Sequence, residues 1–397
     1  MPMLINSYVD LLIFLRSNTS FCLASLRWLS LASVALLSLQ VNAGNISARA
    51  EYSALYDSNF SRSEVEQDET IKIAELKVNA DENFSKQNVS VILQFNQLDY
   101  ETDKSLDSSY VTGEFNWQGQ VATKILFDAN ATRDAYAVDP LEYKGKDIVT
   151  KNEYFARVGY GSRERLSVWI GGVNIKQNHS AYEREILDFE QPAAVVEITM
   201  FQTQKLQHNL SFTKGERSYK TGMNIQGNNI DFDFSEIEYD LDWKMSERNQ
   251  ISLGVAGFER EGDINSDTGL LANVRWMWKP RSKLSFLLGF DLNQPAAGEE
   301  IETPTEVRNT SFGARWQLSD RWRLEADFLH SEQDYINQTT YEERGEKWQR
   351  WRPLVIIYSG SKWFSARLET ELYERRSSAV YRVYEGTVVN LALAAKF

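Results

Sequence analysis

The sequence predicts an all-β protein, a transmembrane antiparallel up-and-down β-barrel of about 18 strands, with 16 strands as the alternative count. Three observations lead to this prediction. Apolar and polar residues alternate with period two along most of the chain, in segments about as long as a tilted strand needs to cross a bilayer. The alternation continues to the final residue. The connections between the segments are alternately short and long.

The last predicted strand, residues 387–397, places Phe397, Ala395, Leu393 and Leu391 on one face. An apolar terminal strand with a free edge invites pairing with other chains, whereas in a closed barrel it pairs with the first strand. A terminal Phe on an amphipathic strand also resembles the C-terminal signal of bacterial outer-membrane barrels. We therefore expect the barrel-assembly machinery to be a partner that reads Phe397.

The composition fits a barrel better than a helical membrane protein. The mean hydropathy of the 397 residues is −0.44, and after the N-terminal segment no apolar run approaches the ~18 residues of a membrane-spanning helix. The 11 Trp and 18 Tyr would supply the aromatic girdles of such a barrel. The net charge of −13 argues against nucleic acid as a partner. The single cysteine, Cys22, lies in the N-terminal segment, so the mature chain can form no internal disulfide.

The N-terminal residues 1–43 are predicted to be a signal peptide. Arg27 precedes the apolar run 28–39, and Val41-Asn42-Ala43 offers a small-residue cleavage site. Residues 44–397 would then form the barrel. Sec-dependent export followed by insertion into the outer membrane of a Gram-negative cell is the expected route, with outer-membrane lipid around the wall.

The predicted strands follow one another along residues 44–397, each with one apolar face. The clearest apolar sets, in chain order, are Ala48/Ala50/Tyr52/Ala54, Val89/Val91/Leu93/Phe95, Val121/Thr123/Ile125/Phe127, Leu166/Val168/Ile170, Ile237/Tyr239/Leu241/Trp243, Leu270/Ala272/Val274/Trp276, Leu284/Phe286/Leu288/Phe290, Trp322/Leu324/Ala326/Phe328 and Phe364/Ala366/Leu368. Three strands, near 71–80, 193–201 and 348–358, alternate least regularly.

The predicted connections alternate in length, as short periplasmic turns and longer extracellular loops do in outer-membrane barrels. The short ones lie near 118–120, 161–164, 202–204, 245–248, 279–282, 318–321 and 359–362; the long ones include 133–149, 214–227, 294–305 and 331–347. Six tryptophans flank the short turns, namely Trp117, Trp243, Trp278, Trp316, Trp322 and Trp363. They predict an aromatic girdle at the periplasmic interface.

The opposite faces of the strands predict a polar lumen of mixed sign, slightly acidic. The candidate lumen-lining residues are Arg49, Glu51, Trp169, Glu236, Glu238, Asp240, Asp242, Arg275, Arg315, Arg323, Glu325, Asp327, Arg367, Glu369, Glu371 and Tyr373. Aromatic rings among them could stack on the apolar faces of sugars. The alternative is that these charges only pair with one another across the lumen.

The residues give no arrangement typical of catalysis. The three histidines, His179, His208 and His330, are separated and stand in no recognisable pattern with Ser and Asp. The sequence also shows no metal-ligand spacing, no glycine-rich phosphate loop and no nucleophile elbow. We therefore predict that the protein is not an enzyme and carries no cofactor or metal.

Several stretches resemble one group of outer-membrane proteins. They are Tyr56-Asp-Ser-Asn-Phe-Ser-Arg62, Phe115-Asn-Trp117, Gly215-Glu-Arg-Ser-Tyr219 and the terminal Leu-Ala-Leu-Ala-Ala-Lys-Phe397. In these the chain is similar to the β-barrels encoded in exopolysaccharide biosynthesis operons, the EpsL type, which are related to a broad class of barrel porins. The resemblance implies a channel or export component for polysaccharide or oligosaccharide that works with other exopolysaccharide export components. It transfers no site residues.

Three other functions are open at this point, of which one is a purely structural or adhesive barrel that is plugged and closed. A general porin for small hydrophilic solutes would have an extracellular loop folded inward as a constriction, for which 133–149 or 331–347 could serve. An outer-membrane hydrolase would need a Ser, His and carboxylate cluster at one rim, with His179 or His330 as the candidate base.

Overall fold

The computed structural model describes residues 45–223, 227–299, 303–336, 343–379 and 382–397, which form one closed ring of 18 antiparallel strands. The strands are β1 (Asn45–Asp57), β2 (Glu69–Phe84), β3 (Gln87–Tyr100), β4 (Ser108–Gln120), β5 (Ile125–Ala137), β6 (Ile148–Gly161), β7 (Leu166–His179), β8 (Phe189–Thr203), β9 (Leu206–Tyr219), β10 (Phe232–Ser246), β11 (Asn249–Gly262), β12 (Asp267–Arg281), β13 (Leu284–Asn293), β14 (Glu306–Gln317), β15 (Trp322–Ile336), β16 (Glu343–Ser361), β17 (Phe364–Ser377) and β18 (Tyr384–Lys396). The predicted fold and the count of 18 are confirmed. The predicted signal peptide lies outside the described residues.

The ring closes between its first and last strands, as the alternation up to Phe397 predicts. Arg49 of β1 lies opposite Lys396 of β18, and the register continues along both strands. Two backbone hydrogen bonds join Ala48 and Phe397, at 3.0 and 2.8 Å. Closure leaves no unpaired sheet edge, so an apolar terminal strand carries no aggregation cost here. Recognition of Phe397 by the assembly machinery stays a prediction.

The strands form where the sequence alternates, because each strand faces two different environments. On β7 the outward Val168 and Ile170 are 45% and 67% exposed, whereas the inward Ser167 and Trp169 are 2% and 3% exposed. The apolar outward residues form the band that contacts lipid. The described residues include two short 3₁₀ segments, Lys104–Leu106 and Tyr182–Leu187. No described helix is long and apolar enough to span a bilayer.

Short and long connections alternate around the ring. The short turns are 85–86, 121–124, 162–165, 204–205, 247–248, 282–283, 318–321 and 362–363. Several strands extend further than predicted, so the loop expected at 133–149 shortens to 138–147 and the one at 214–227 begins only after Tyr219. The polar ends of these strands still pair, as Arg133 of β5 does with Asn152 of β6. Conversely, Val121 and Thr123, predicted in a strand, lie in a turn.

The six tryptophans predicted to form a girdle all lie at the short-turn end of the barrel. Their exposed fractions run from 39% for Trp117 to 65% for Trp363, as expected for side chains that point out of the wall. Trp316 and Trp322 stand on either side of the turn 318–321. This end is therefore the periplasmic one, and the longer loops are extracellular.

One of the three irregular strands owes its irregularity to proline. Pro353 interrupts β16, where the register shifts between Trp351 and Leu354 because proline has no N–H to donate to the ladder. Because of this shift, the inward-facing residues of β16 have even numbers before Pro353 and odd numbers after it. In β8, Pro192 lies where the pairing with β9 lapses between Glu190 and Ala193.

Candidate functional site: the polar lumen

The register of the sheet fixes which side chains face the lumen, because directly opposed residues of antiparallel strands share a face. Trp169 lies opposite Glu197, Glu197 opposite Ser211, and Ser211 opposite Glu238. The same reasoning, continued around the ring, places all sixteen candidate lumen residues on the inward face. Their roles in solute passage stay predictions. They divide into three groups with different surroundings.

The first group is an acidic ladder of four carboxylates on the inward face of β10: Glu236, Glu238, Asp240 and Asp242. Every residue directly opposite them on β9 and β11 is uncharged, and Ser252 donates a hydrogen bond to Asp242 at 2.5 Å. No ion pair within 4.0 Å involves these four carboxylates in the part of the chain that the structure describes. All four are partly exposed. Their charges therefore act on the lumen rather than on a local partner.

The second group is a paired wall on β14–β17 and β1, where arginines and carboxylates neutralise one another. Glu325 lies 3.7 Å from Arg315 and 2.8 Å from Arg323. The remaining pairs are Arg352–Asp327 at 3.0 Å, Arg352–Glu369 at 3.1 Å, Arg350–Glu371 at 3.8 Å, Arg367–Glu369 and Arg49–Glu51. Arg275 stands apart, 66% exposed, with Asp291 at 3.9 Å. In a ring of 18 strands, β10 lies diametrically opposite β1, and the acidic ladder and the paired wall occupy different arcs of the barrel.

The third group consists of the two candidate aromatic residues, which are packed into side-chain clusters. Trp169 is 3% exposed, and the guanidinium carbons of Arg157 and Arg163 lie 4.3 and 5.0 Å from its ring. Arg157 also pairs with Glu197 at 2.5 Å and with Asp128 at 3.0 Å. Cation–π contacts of this kind occupy the ring faces. Trp169 therefore offers no free surface for stacking on a sugar.

Gly159 makes room for this tryptophan, since a Cβ built there would lie 2.5 Å from the Trp169 ring. We expect Gly159→Ala to displace the ring and to destabilise the folded barrel by about 1–3 kcal/mol through overpacking. Thermal unfolding of the refolded variant measures the effect. Gly257→Ala is the matched control, because nothing lies within 4 Å of a Cβ at Gly257. Equal unfolding temperatures for the two variants would contradict the packing account.

Tyr373, the other aromatic candidate, anchors the extracellular loop 58–68 to the inner wall. Its hydroxyl donates to Asp57 Oδ1 at 2.6 Å and accepts from Arg62, whose guanidinium also lies 4.4 Å from the Tyr373 ring centroid. Arg62 donates to Asp57 Oδ2 at 2.7 Å and reaches Asp139 of loop 138–147 at 3.3 Å. Its φ of +50° is in the left-handed region, which non-glycine residues rarely adopt. Loop 58–68 therefore folds into the mouth of the barrel.

The charges around Arg62 keep it ionised. Burial alone would lower the pKa of the Arg62 guanidinium, but Asp139 and Asp57 together raise the pKa above its ordinary value. Phe60 of the same loop packs against inward side chains of β2 and β3, namely Ile71, Leu98 and Tyr100. Loop 58–68 is thus held against the inner wall at two places. Arg62 holds it through ionic contacts, and Phe60 holds it through apolar contacts with β2 and β3.

A second set of loops folds inward on the other side of the mouth. Arg217, on the inward face of β9, donates to Glu299 of loop 294–305 at 2.7 Å. Asn265 donates to the carbonyl oxygens of Ile230 and Ala297, which ties three loops together. The apolar cluster beneath them comprises Phe189, Tyr219, Ile230, Phe232 and Ala296. The mouth is thereby narrowed from both sides.

The sequence reasoning missed the residues that organise these clusters. Arg350 and Arg352 belong to the paired wall. The bulge at Pro353 interrupts the alternation of β16, so the sequence pattern does not show that these two arginines face inward. The signal available in the sequence was the proline itself, within an otherwise alternating strand. Arg62, Arg217 and Glu299 act through loop conformation, which no periodic pattern encodes.

The two histidines that could serve a hydrolase, His179 and His330, both have other partners. His330 Nε2 lies 3.5 Å from Glu332 Oε1, and its Nδ1 lies 3.4 Å from the side-chain amide of Gln349. His179 Nδ1 lies 3.0 Å from Asp188 Oδ1, and the neighbouring Ser180 hydroxyl donates to Asp147 at 3.2 Å. Within the described ranges, no hydrogen bond joins His179 to a serine hydroxyl. These contacts hold the loop 180–188 at the rim of the barrel.

One further concavity lies outside the lumen. A groove of about 740 Å³ is lined by outward-facing residues of β6–β10, among them Tyr154, Ala194 and Lys214. Because these side chains face the bilayer, the groove does not belong to a solute path.

No protein-family model matches the sequence, and no curated protein matches it. The barrel is similar to OccK9 (OpdG) of Pseudomonas aeruginosa, at TM-score 0.53 and 10% identity, covering 89% of this chain and 97% of that one. It is also similar to OccAB4 of Acinetobacter baumannii, at TM-score 0.51 and 8% identity, covering 89% and 98%. A third similar structure is OpdK of P. aeruginosa with vanillate, at TM-score 0.51 and 9% identity, covering 89% and 98%.

At such low identity the likeness concerns the fold alone. None of these three structures supports the exopolysaccharide resemblance, which rests on short sequence stretches only. The closed 18-strand barrel, its lipid-facing apolar band and its tryptophan girdle are those of an integral protein of the Gram-negative outer membrane.

Proposed function

We propose that the protein is a passive channel for small hydrophilic solutes, the general-porin alternative, rather than a component of exopolysaccharide export. The observation that carries this proposal is the closed 18-strand wall with a charged inward face and loops folded into its mouth. A barrel of this size encloses an aqueous lumen unless it is plugged. Inward-folded loops restrict such a lumen to small solutes.

Two loops contribute to the restriction, one of which the sequence predicts. Loop 58–68 folds inward together with 138–147, the remaining part of the predicted loop 133–149, since Asp139 and Lys144 accept from Arg62 and donate to Ser61 respectively. Residues 337–342, within the predicted loop 331–347, lie outside the described residues. The lumen also gives a polymer little to stack on, since Trp169 is 3% and Tyr373 5% exposed. One structural relative was solved with vanillate, a small molecule.

The charge distribution supports a preference for cations. The acidic ladder on β10 has no ion-pair partner among the described residues, whereas the arginines of the paired wall are paired with carboxylates, so the net field in the lumen is negative. A channel with low-dielectric walls concentrates counter-ions of the opposite sign. Small cationic and neutral solutes should therefore pass more readily than anions.

Swelling of liposomes that contain the refolded protein tests the proposal. We expect swelling rates that fall steeply with solute size among neutral sugars, from arabinose to a trisaccharide, because the inward loops narrow the mouth. Protein-free liposomes and liposomes with heat-unfolded protein are the controls. Folded protein that admits no sugar at all, or that admits long oligosaccharides as fast as arabinose, would contradict a small-solute channel.

A further inference from the structure

A cleft of about 750 Å³ lies among the extracellular loops 58–68, 101–107 and 138–147. Its volume is within the range of ~300–1,000 Å³ that small-molecule sites occupy. All of its lining residues belong to these loops or to the strand ends next to them. The cleft thus stands beside the entrance, outside the acidic ladder and the paired wall.

The cleft has an apolar and aromatic lining that belongs to a built core. Phe60 packs on Tyr100 with ring centroids 5.6 Å apart, and both line the cleft together with Leu106. Tyr100 is 5% exposed and forms one cluster with Ile71 and Leu98, which fixes its position. A flat ring or short hydrocarbon segment would find a preformed surface here.

The charges around the cleft are predominantly acidic, and two of the carboxylates have no ion-pair partner among the described residues. Glu66 and Asp68 line the cleft, are exposed, and take part in no ion pair among the described residues. The two lysines in the lining are committed to loop carbonyls, Lys144 to Ser61 and Lys146 to Asp107. Carboxylates with free oxygens beside an apolar surface attract a cation that carries a ring or chain.

The carboxylate of Glu69, by contrast, is occupied by backbone amides. It accepts hydrogen bonds from the N–H groups of Glu101 and Thr102 at 2.9 Å each, and from Asp103 at 3.1 Å. Glu69 therefore shapes the cleft, and Glu66 and Asp68 are the groups left to meet a ligand.

From this arrangement we infer that the cleft is a binding site for a small cationic solute with an aromatic or apolar portion. The apolar portion lies against Phe60 and Leu106, and the ammonium group faces Glu66 and Asp68. Such a site holds cations at the extracellular mouth before entry. The binding itself does not depend on conduction.

Isothermal titration of the refolded protein in detergent tests this inference with three probes. We expect 2-phenylethylamine to bind about tenfold more tightly than 3-phenylpropanoate, which has the ring but the opposite charge, and than propylamine, which lacks the ring. Equal affinities for the three probes, or no measurable binding of the amine, would overturn the inference.

Paired variants locate the site. Glu66→Gln should weaken binding of the amine about two- to fivefold, which is the effect expected of one exposed charge. Glu64 lies in the same loop but outside the lining of the cleft, so Glu64→Gln should leave amine binding unchanged. Phe60→Ala should weaken all ring-bearing probes. Liposome swelling measured with the same batch of wild-type protein separates the two proposals: swelling without amine binding overturns only this inference, and amine binding without swelling overturns only the proposed channel. Equal loss of amine binding in both Glu variants would also overturn the inference.

Discussion

Removing the charges of the acidic ladder should lower the preference of the channel for cations several-fold. The combined variant carries Glu236→Gln, Glu238→Gln, Asp240→Asn and Asp242→Asn. The four carboxylates face the lumen and have no cationic partner within 4.0 Å among the described residues, so their field acts on passing ions. The permeability ratio follows from the reversal potential across a bilayer bathed in unequal concentrations of potassium chloride.

A matched control removes the same charge from the outer side of the same part of the wall. It carries Glu190→Gln, Glu216→Gln, Asp233→Asn and Glu259→Gln. All four side chains point out of the wall near its extracellular end. We expect its permeability ratio to stay close to that of wild type, because the wall and bulk solvent screen these positions from the lumen. If both variants shift the ratio equally, the preference comes from overall charge, and the assigned role of β10 is wrong.

The substitution Arg62→Ala should release loop 58–68 and give the second large effect. Arg62 joins Asp57, Tyr373 and Asp139, and its loss leaves Asp57, whose side chain is 3% exposed, without a counter-charge. Breaking a buried pair in this way costs about 3–5 kcal/mol, which exceeds the stability of most isolated loops. We expect a larger mean conductance, more current noise, and new protease cleavage within 58–68.

Arg376→Ala is the control for this variant. Arg376 pairs with Glu374 at 2.5 Å, but its side chain is 75% exposed, so the pair contributes about 0–1 kcal/mol. Its conductance and protease pattern should match wild type. A quiet channel of unchanged conductance in Arg62→Ala would show that loop 58–68 does not restrict the mouth.

The strands of the barrel wall could be predicted from sequence because successive residues of each strand face lipid and water in turn. Lipid on one side and water on the other force alternation, which is visible even in a strand as polar on its inner face as β10. Closure followed from the apolar terminal strand, and orientation from tryptophans such as Trp316 and Trp322 at the short turns. Where proline broke the period, at Pro353, the prediction failed for the residues just before it, including Arg352.

The mouth could not be predicted, because its contacts join residues far apart in the chain. Asp57 and Tyr373 are separated by 316 positions and meet only when β1 and β17 have come together around the ring. Nor could alternation distinguish an inward residue that is free, such as Asp240, from one that is packed, such as Trp169. Both side chains are on the inward face, and only their neighbours on adjacent strands differ.

The most direct test of a passive channel is the single-channel conductance of the refolded protein in a planar bilayer. Resistance of the folded band to denaturation in unheated gel samples first establishes that the barrel is formed. Our account predicts discrete and stable conductance steps that select for cations and are not blocked by long oligosaccharides. Folded protein that inserts into the bilayer but carries no current would contradict it.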